Sequence, residues 1–357
     1  MKIAIVGAGA AGLMCACMLD LAHQVVVFDK NESVGQKLLM TGKGRCNLTN
    51  LVEVDQFLKS VPQGGDFLRS AVGKFTPQDT IAFFNELGVN TVVEANNRVF
   101  PVVGGAKGIA EALEKYAKSR GVKFMMGHTI TDIEDLRKSF DAVIIATGGM
   151  SFPKTGSSGD GYEFAKRLGH KIIPPRPSLC GLQFEQPAGF QGVSVPVRAT
   201  LDGNTESADM MFTKNGVSGP VIFRLVSRLM GQSVKGKSLV VDFVPDFDKV
   251  AFDPSDKPFY SFRKHLPQNI ANWLVARGDK PKDIKSIRIP IEDFDPIEFA
   301  TVTRGGVDIN EIDSKTMESR LAPKVYFIGE VLNVDGMSGG FNLQIAFSTA
   351  TACAASL

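Results

Sequence analysis

The stretch from Lys2 to Asp29 restricts the fold more than any other part of this 357-residue chain. A β-branched run, Lys2 to Val6, enters the loop GAGAAG (Gly7 to Gly12) without a spacer. An Ala-, Leu- and Met-rich stretch follows from Ala11 to Ala22, and a second apolar run, Gln24 to Phe28, ends at Asp29. Strand, GxGxxG turn, helix and strand in that order make a βαβ unit of the dinucleotide-binding kind. Gly7 permits the tight turn, Gly9 lets the backbone approach a pyrophosphate, and Gly12 lets the helix pack closely on the sheet. Asp29, 22 positions after Gly7, stands where a carboxylate accepts from both ribose hydroxyls. The same charge disfavours a 2′-phosphate, and Lys30 does not offset it. FAD and NAD both satisfy such a site, and a tight turn into an Ala-rich helix is the plainer alternative.

The rest of the composition narrows the partners. At 44% hydrophobic residues the chain can bury the cores of two or more domains. Its 40 basic and 38 acidic side chains leave a net charge of +2, so no strong field draws in phosphate backbones, and nucleic acid is not an expected partner. Cys15, Cys17, Cys46, Cys180 and Cys353 have no regular spacing, which fits neither a zinc cluster nor a disulfide framework and suits the reducing cytoplasm. His23, His128, His170 and His265 form no ligand motif, so no metal is expected. Three glycines and Asp20 make the apolar start a folded strand and turn rather than a signal peptide. The uncharged stretch Gly336 to Leu357 holds several glycines, Asn342, Gln344 and Ser348, and reads as a glycine loop before a buried helix, not a membrane span.

Further along, residues 77 to 87 and Lys107 to Ser119 read as helices, and Thr91 to Val103 as a hairpin turning at Asn96-Asn97. Val122 to Met126, Thr129 to Ile133 and the apolar DAVIIA (Asp141 to Ala146) read as strands. From Pro174 the composition changes. PPRP (174 to 177) forbids regular structure, VSVPVRAT and SLVVDFV suit an antiparallel sheet, Asp246 to Pro258 is a loop, and 261 to 276 is a helix with the sole tryptophan, Trp273. The apolar KVYFIGE near Lys324 returns the chain to the parallel sheet. The expected domains are 1–178 with 322–357 for the dinucleotide, and 179–321 as a β-rich insertion with a helical segment at about 255–282.

The polar stretch GKGRCNLTN (Gly42 to Asn50) lacks the spacing of a Walker loop. Its glycines can expose N–H groups, and Arg45 offers a fork to a pyrophosphate or a neighbouring acid.

Five motifs together carry a resemblance: KLLMTGKGRCNLTN, ATGGMSFPKTGSSGDGYEFAKRLGH (146 to 170), FTKNGVSGP (212 to 220), TRGGV (303 to 307) and GEVLNVDGMSGGFNLQIAFSTA (329 to 350). With them the chain resembles the BaiN-like family of FAD-binding flavoproteins, also described as NAD(P)/FAD-dependent or aminoacetone oxidase family enzymes. The resemblance implies an α/β fold: a discontinuous, Rossmann-like FAD domain of the glutathione-reductase type, an inserted antiparallel β-rich domain, and a small helical domain that this short chain would carry in reduced form. It further implies that Gly7, Gly9, Ala10, Ala11, Gly12, Asp29 and Lys30 hold the ADP half. Lys37, Gly42, Gly44, Arg45, Cys46 and Asn47 would line the pyrophosphate and flavin side, while Thr129 and Ile130, in a strand from His128, would face the adenine. Ala146, Thr147, Gly148 and Gly149 would approach from the second sheet segment. Gly329 and Asp335 would serve the ribityl or pyrophosphate region, with Gly340, Asn342 and Leu343 near the pyrimidine edge of the ring.

With a flavin the chemistry is redox. Only one GxGxxG is present, so NADH or NADPH would either bind transiently near the flavin as electron donor or be replaced by another donor. Cys46 has no CxxC partner and reads as a small buried residue beside the cofactor rather than a redox thiol. Arg304 is the one catalytic candidate, pairing with an anionic substrate group or a nicotinamide phosphate; the alternative is a surface arginine before a turn. Tyr162 reads as a pocket wall, and Asp160 as a turn residue or part of the flavin envelope. The leading expectation is an FAD-dependent oxidoreductase acting on a small organic substrate. The alternatives are an NAD-dependent dehydrogenase without flavin and a flavin-bound interaction or sensor protein with little turnover.

Overall fold

The computed structural model describes residues 1–185, 191–247, 253 and 255–357. They form two compact units, Met1–Arg176 with Thr301–Leu357, and Pro177–Ala300.

The first unit is built on a five-stranded sheet ordered Val325–Phe327, Ala142–Ile145, Lys2–Val6, Gln24–Phe28, Lys123–Met125, every pair parallel. Strands buried on both faces need continuous apolar runs, and KIAIV, AVII and VYF supply them. The GAGAAG turn joins Lys2–Val6 to helix Ala10–Met18, which packs against helices Gly105–Ser119 and Phe341–Ala354. This last helix is uncharged and buried on nearly all sides, as an all-round apolar helix must be. Its polar groups are satisfied inside: Gln344 Nε2 and Ser348 Oγ donate to the Phe75 carbonyl at 3.0 and 2.7 Å, and Thr80 Oγ1 donates to Gln344 Oε1 at 2.8 Å. A small antiparallel sheet of Thr49–Asn50, Arg98–Pro101 and Thr91–Glu94 completes the unit, with Asn96 and Asn97 in the left-handed region at its turn.

The second unit holds a seven-stranded antiparallel sheet, in which Ser194–Leu201 pairs with Asn204–Phe212 and Ser238–Asp242. Alternate residues of Ser194–Leu201 are buried, the period-2 pattern of a half-covered sheet. Trp273 packs edge-on to Phe212 in this core, 5.6 Å between centroids.

Several expectations are corrected. PPRP lies in a strand, Ile172–Ser178, which pairs with Val302–Val307; a two-stranded ladder has only edges, where proline is tolerated. Thr129 to Ile133 is not a strand. Residues 128–130 are irregular, and Asp132 caps a helix Ile133–Ser139 by accepting from the Glu134 N–H at 3.0 Å. The helix over 261 to 276 is two helices, Pro258–Arg263 and Gln268–Ala276, because Pro267 cannot continue the first. The expected loop from Asp246 to Pro258 lies partly outside the described residues. The chain rejoins the first unit at Thr301, where the sequence reading had placed 322, since Val302–Val307 is itself part of that unit.

Candidate cofactor site

Gly9 caps helix Ala10–Met18 without a side-chain bond, and no acid occupies the first turn, so no side chain of the helix offsets its positive end. A Cβ on Gly12 would run into the Gly7 carbonyl, whereas one on Gly9 would meet nothing within 4 Å. Close packing at Gly12 and open space at Gly9 are what a pyrophosphate on this turn requires. Asp29 ends the neighbouring strand, accepting from Ala8 N at 2.7 Å and from Asn31 N and Nδ2 at 2.8 and 2.9 Å. These bonds fix the carboxylate beside the glycine turn. Thr129 and Ile130 follow His128, whose N–H donates to the Asp29 carbonyl at 2.8 Å, so the irregular segment still runs along this strand end. Lys30 turns away to Asp160 at 2.6 Å and to Ser158. That pairing gives Asp160 a partner the sequence did not suggest.

A second glycine-rich segment comes from the chain's C-terminal region. Gly340, at φ 100°, caps helix Phe341–Ala354, and a Cβ there would strike the Thr49 backbone. Asn342 reaches back to bond Gly336 N and O at 2.9 and 2.8 Å, closing the loop, and Leu343 packs against the core. Among the described residues Asn47 Oδ1, Thr49 Oγ1, Thr147 Oγ1 and the Tyr162 hydroxyl are buried without a protein partner. Buried polar atoms are rarely left so, and a bound cofactor with many polar atoms satisfies such groups. The residues present therefore fit a dinucleotide.

A polar cluster joins Lys37 to residues that the sequence reading did not connect with it. Lys37 Nζ donates to Ser151 Oγ at 2.6 Å and to Glu330, and Glu330 Oε1 accepts from Thr303 N at 2.8 Å. Thr303 Oγ1 in turn accepts from Met150 N at 2.8 Å, and a Cβ on Gly149 would collide with it. Gly148 turns beside Ser157, Ala146 N donates to Val6 O at 2.8 Å, and Gly329 N donates to Thr349 Oγ1 at 3.0 Å. Burial and the nearby Glu330 carboxylate both push the Tyr162 phenol above its ordinary range. The acid directly after the apolar run of KVYFIGE was the available signal for Glu330.

Other expected residues lie differently. Arg45 pairs with Glu94 and stacks over Phe100, 4.3 Å from the ring centroid, with its side chain 57% exposed; of the two partners weighed for its fork, the neighbouring acid is the one found. Gly42, Lys43, Gly44 and Cys46 all take left-handed backbone, so the loop is a tight coil. Burial pushes the Cys46 thiol up to about 12, which removes thiolate chemistry near neutral pH. Arg304 is not a surface residue; it is buried and paired with Asp335. Among the described residues no three His, Cys, Asp or Glu side chains are arranged for a metal, and no helix is long and apolar enough to cross a membrane.

Comparison with known proteins places this geometry. The family model for the HI0933-like protein Rossmann domain matches residues 1–356. The chain belongs to the HI0933-like family. HI0933-like membership puts it among the FAD-binding Rossmann-fold oxidoreductases. Its HI0933-like sequence is 31% identical over 397 residues to ribosomal RNA dihydrouridine synthase of Escherichia coli, covering 99% of this chain and 97% of that one. It is 30% identical over 401 residues to 3-dehydro-bile acid delta(4,6)-reductase of Clostridium scindens, covering 98% and 97%. Quinol fumarate reductase FrdA of E. coli shares the fold, with a TM-score of 0.53 at 14% identity over 100% of this chain and 70% of that one.

Proposed function

We propose that this protein is an FAD-dependent reductase of a carbon–carbon double bond conjugated to a carbonyl, fed by NADH or NADPH. The observation that supports it most is the near full-length likeness to two relatives whose names describe one shared bond change. Dihydrouridine is uridine saturated beside its C4 carbonyl, and a 3-dehydro-Δ4,6 steroid is a conjugated dienone. Uridine and the dienone both accept hydride at the carbon of the double bond remote from the carbonyl, and a proton at the other carbon completes the reduction. The narrower BaiN-like kinship rests on the same motifs.

In this reading Gly9 to Gly12 and Asp29 hold the adenosine diphosphate, and Asn47, Thr49 and Thr147 supply polar contacts farther along the cofactor. FAD, when bound, supplies hydride transfer. The uncapped start of helix Phe341–Ala354 favours negative charge placed against it. The Lys37–Glu330–Thr303 cluster ties the segment after the Asp29 strand to the turn at Glu330 and to the strand Val302–Val307.

A uracil base in ribosomal RNA is the first substrate to test, on the 31% relatives. A small enone is the second, favoured by the near balance of 40 basic and 38 acidic side chains, which offers little to a phosphate backbone. The experiment is anaerobic reduction of the yellow protein, followed at about 450 nm, with NADH and NADPH, then reoxidation by ribosomal RNA lacking dihydrouridine or by cyclohexenone and a steroid dienone. Reoxidation by one class assigns the substrate. A protein that binds NAD but no FAD, or whose reduced form none of these acceptors reoxidises, refutes the proposal.

A further inference from the structure

We infer that Arg304 is a positioning residue for the cofactor loop, acting through Asp335, an inference that rests on the FAD reading above. Arg304 grips Asp335 by two parallel bonds, Nε to Oδ1 at 2.8 Å and Nη2 to Oδ2 at 2.7 Å. Their side chains are 8% and 0% exposed. A charge pair this deep survives only with good geometry, and the planar fork supplies it. Both carboxylate oxygens are thereby engaged from the protein side.

What the pair connects gives it a role. Arg304 sits in the buried strand Val302–Val307, whose glycines pack closely on neighbouring backbone: a Cβ on Gly305 would meet the Pro174 carbonyl at 2.6 Å, and one on Gly306 the Val331 carbonyl at 2.5 Å. Asp335 opens the loop that ends at Gly340, the cap of the C-terminal helix. Farther along, this loop is held by Met337 N donating to Ser60 O at 2.9 Å and by Asn50 Nδ2 donating to Gly339 O at 2.9 Å. Rigid strand, fork, carboxylate and loop thus form one line of fixed contacts ending at a helix N-terminus. A residue that sequence alone placed toward the substrate acts on the cofactor's side.

The test compares wild type, Arg304→Lys, and the charge-free pair Arg304→Leu with Asp335→Asn. Arg304→Ala by itself strands a buried carboxylate and risks unfolding, so the double variant decides. FAD affinity is read by quenching of flavin fluorescence, and ordering of the ring by the fine structure of its visible band. Apo-protein melting reports the fold. The double variant is expected to fold and to bind FAD at least ~10-fold more weakly, with a blurred visible band, and Arg304→Lys to fall between. A purely structural role would lower apo melting and leave affinity and spectrum unchanged, and that result overturns the inference. Wild type that takes up no FAD would instead remove the underlying reading, and this inference with it.

Discussion

The ammonium of Lys37 lies 2.7 Å from Glu330 Oε2 and 2.9 Å from Oε1, joining residues 293 positions apart. One belongs to the polar segment after the Asp29 strand, the other to the turn that follows Val325–Phe327.

Their side chains are about one-fifth exposed, 21% and 22%, so the pair is worth more than a surface bridge and less than a sealed one. Lys37→Met is expected to cost roughly 1–2 kcal/mol in urea unfolding. A double-mutant cycle with Glu330→Gln should show coupling; strictly additive losses would mean that the contact does not matter.

Gly9 and Gly12 should separate binding from folding. At φ −81° Gly9 has a backbone that alanine adopts, and open space at its Cβ position. Gly9→Ala is therefore expected to leave apo stability within ~0.5 kcal/mol and to weaken FAD about 10-fold or more. Gly12→Ala forces a collision with the Gly7 carbonyl and should lower apo stability itself. Equal behaviour of the two variants in melting and in FAD titration would contradict this division.

His170 carries a pH dependence. Its ring is buried, Nδ1 lying 3.0 Å from Glu311 Oε2 and Nε2 2.7 Å from Ser319 Oγ. Ser319 Oγ already accepts from the N–H groups of Ala322 and Leu321 at 2.8 and 3.1 Å, so its hydroxyl donates to a neutral imidazole. Burial pushes the His170 pKa down, against the opposing pull of Glu311. With the folded value below the unfolded one of about 6.5, stability is fully present above that pH and is lost as the pH falls toward the folded value. The urea midpoint should drop as the pH falls below about 6.5, and His170→Gln should flatten the slope. An unchanged slope in that variant would assign the acid sensitivity elsewhere.

Cys46 should be chemically silent. With its pKa at about 12, thiolate at pH 8 is about one part in ten thousand. Iodoacetamide should not label it in the folded protein, and Cys46→Ala should keep the rate of flavin reduction by NADPH. Rapid native labelling would show an accessible thiol instead.

Local pattern made the parallel strands, the glycine turn and the alternating strands of the second unit legible, because periodicity and turn chemistry act over a few residues. Long-range pairing was hidden. Arg45 could not be assigned to Glu94, nor Arg304 to Asp335, until the hairpin and the strand Val302–Val307 brought them together. PPRP misled because proline is costly only where its missing N–H would have had an acceptor. Thr147 was named from its motif, but Thr49 drew no notice in the sequence, and only a buried hydroxyl without a partner marks it as a candidate.

The edge strand Val325–Phe327 has a consequence for synthesis. About 180 residues separate it from its neighbour Ala142–Ile145, and the helix that covers the glycine turn comes later still. At ~5–20 residues per second a ribosome takes roughly 10 to 40 s to cross that gap, during which Ala142–Ile145 is an unpaired edge of the nascent sheet. The strands of the seven-stranded sheet find their partners within the 177–300 unit, which can close meanwhile. Translation pauses or chaperone shortage between residues 146 and 325 should therefore raise aggregation of new protein more than the same disturbance after release.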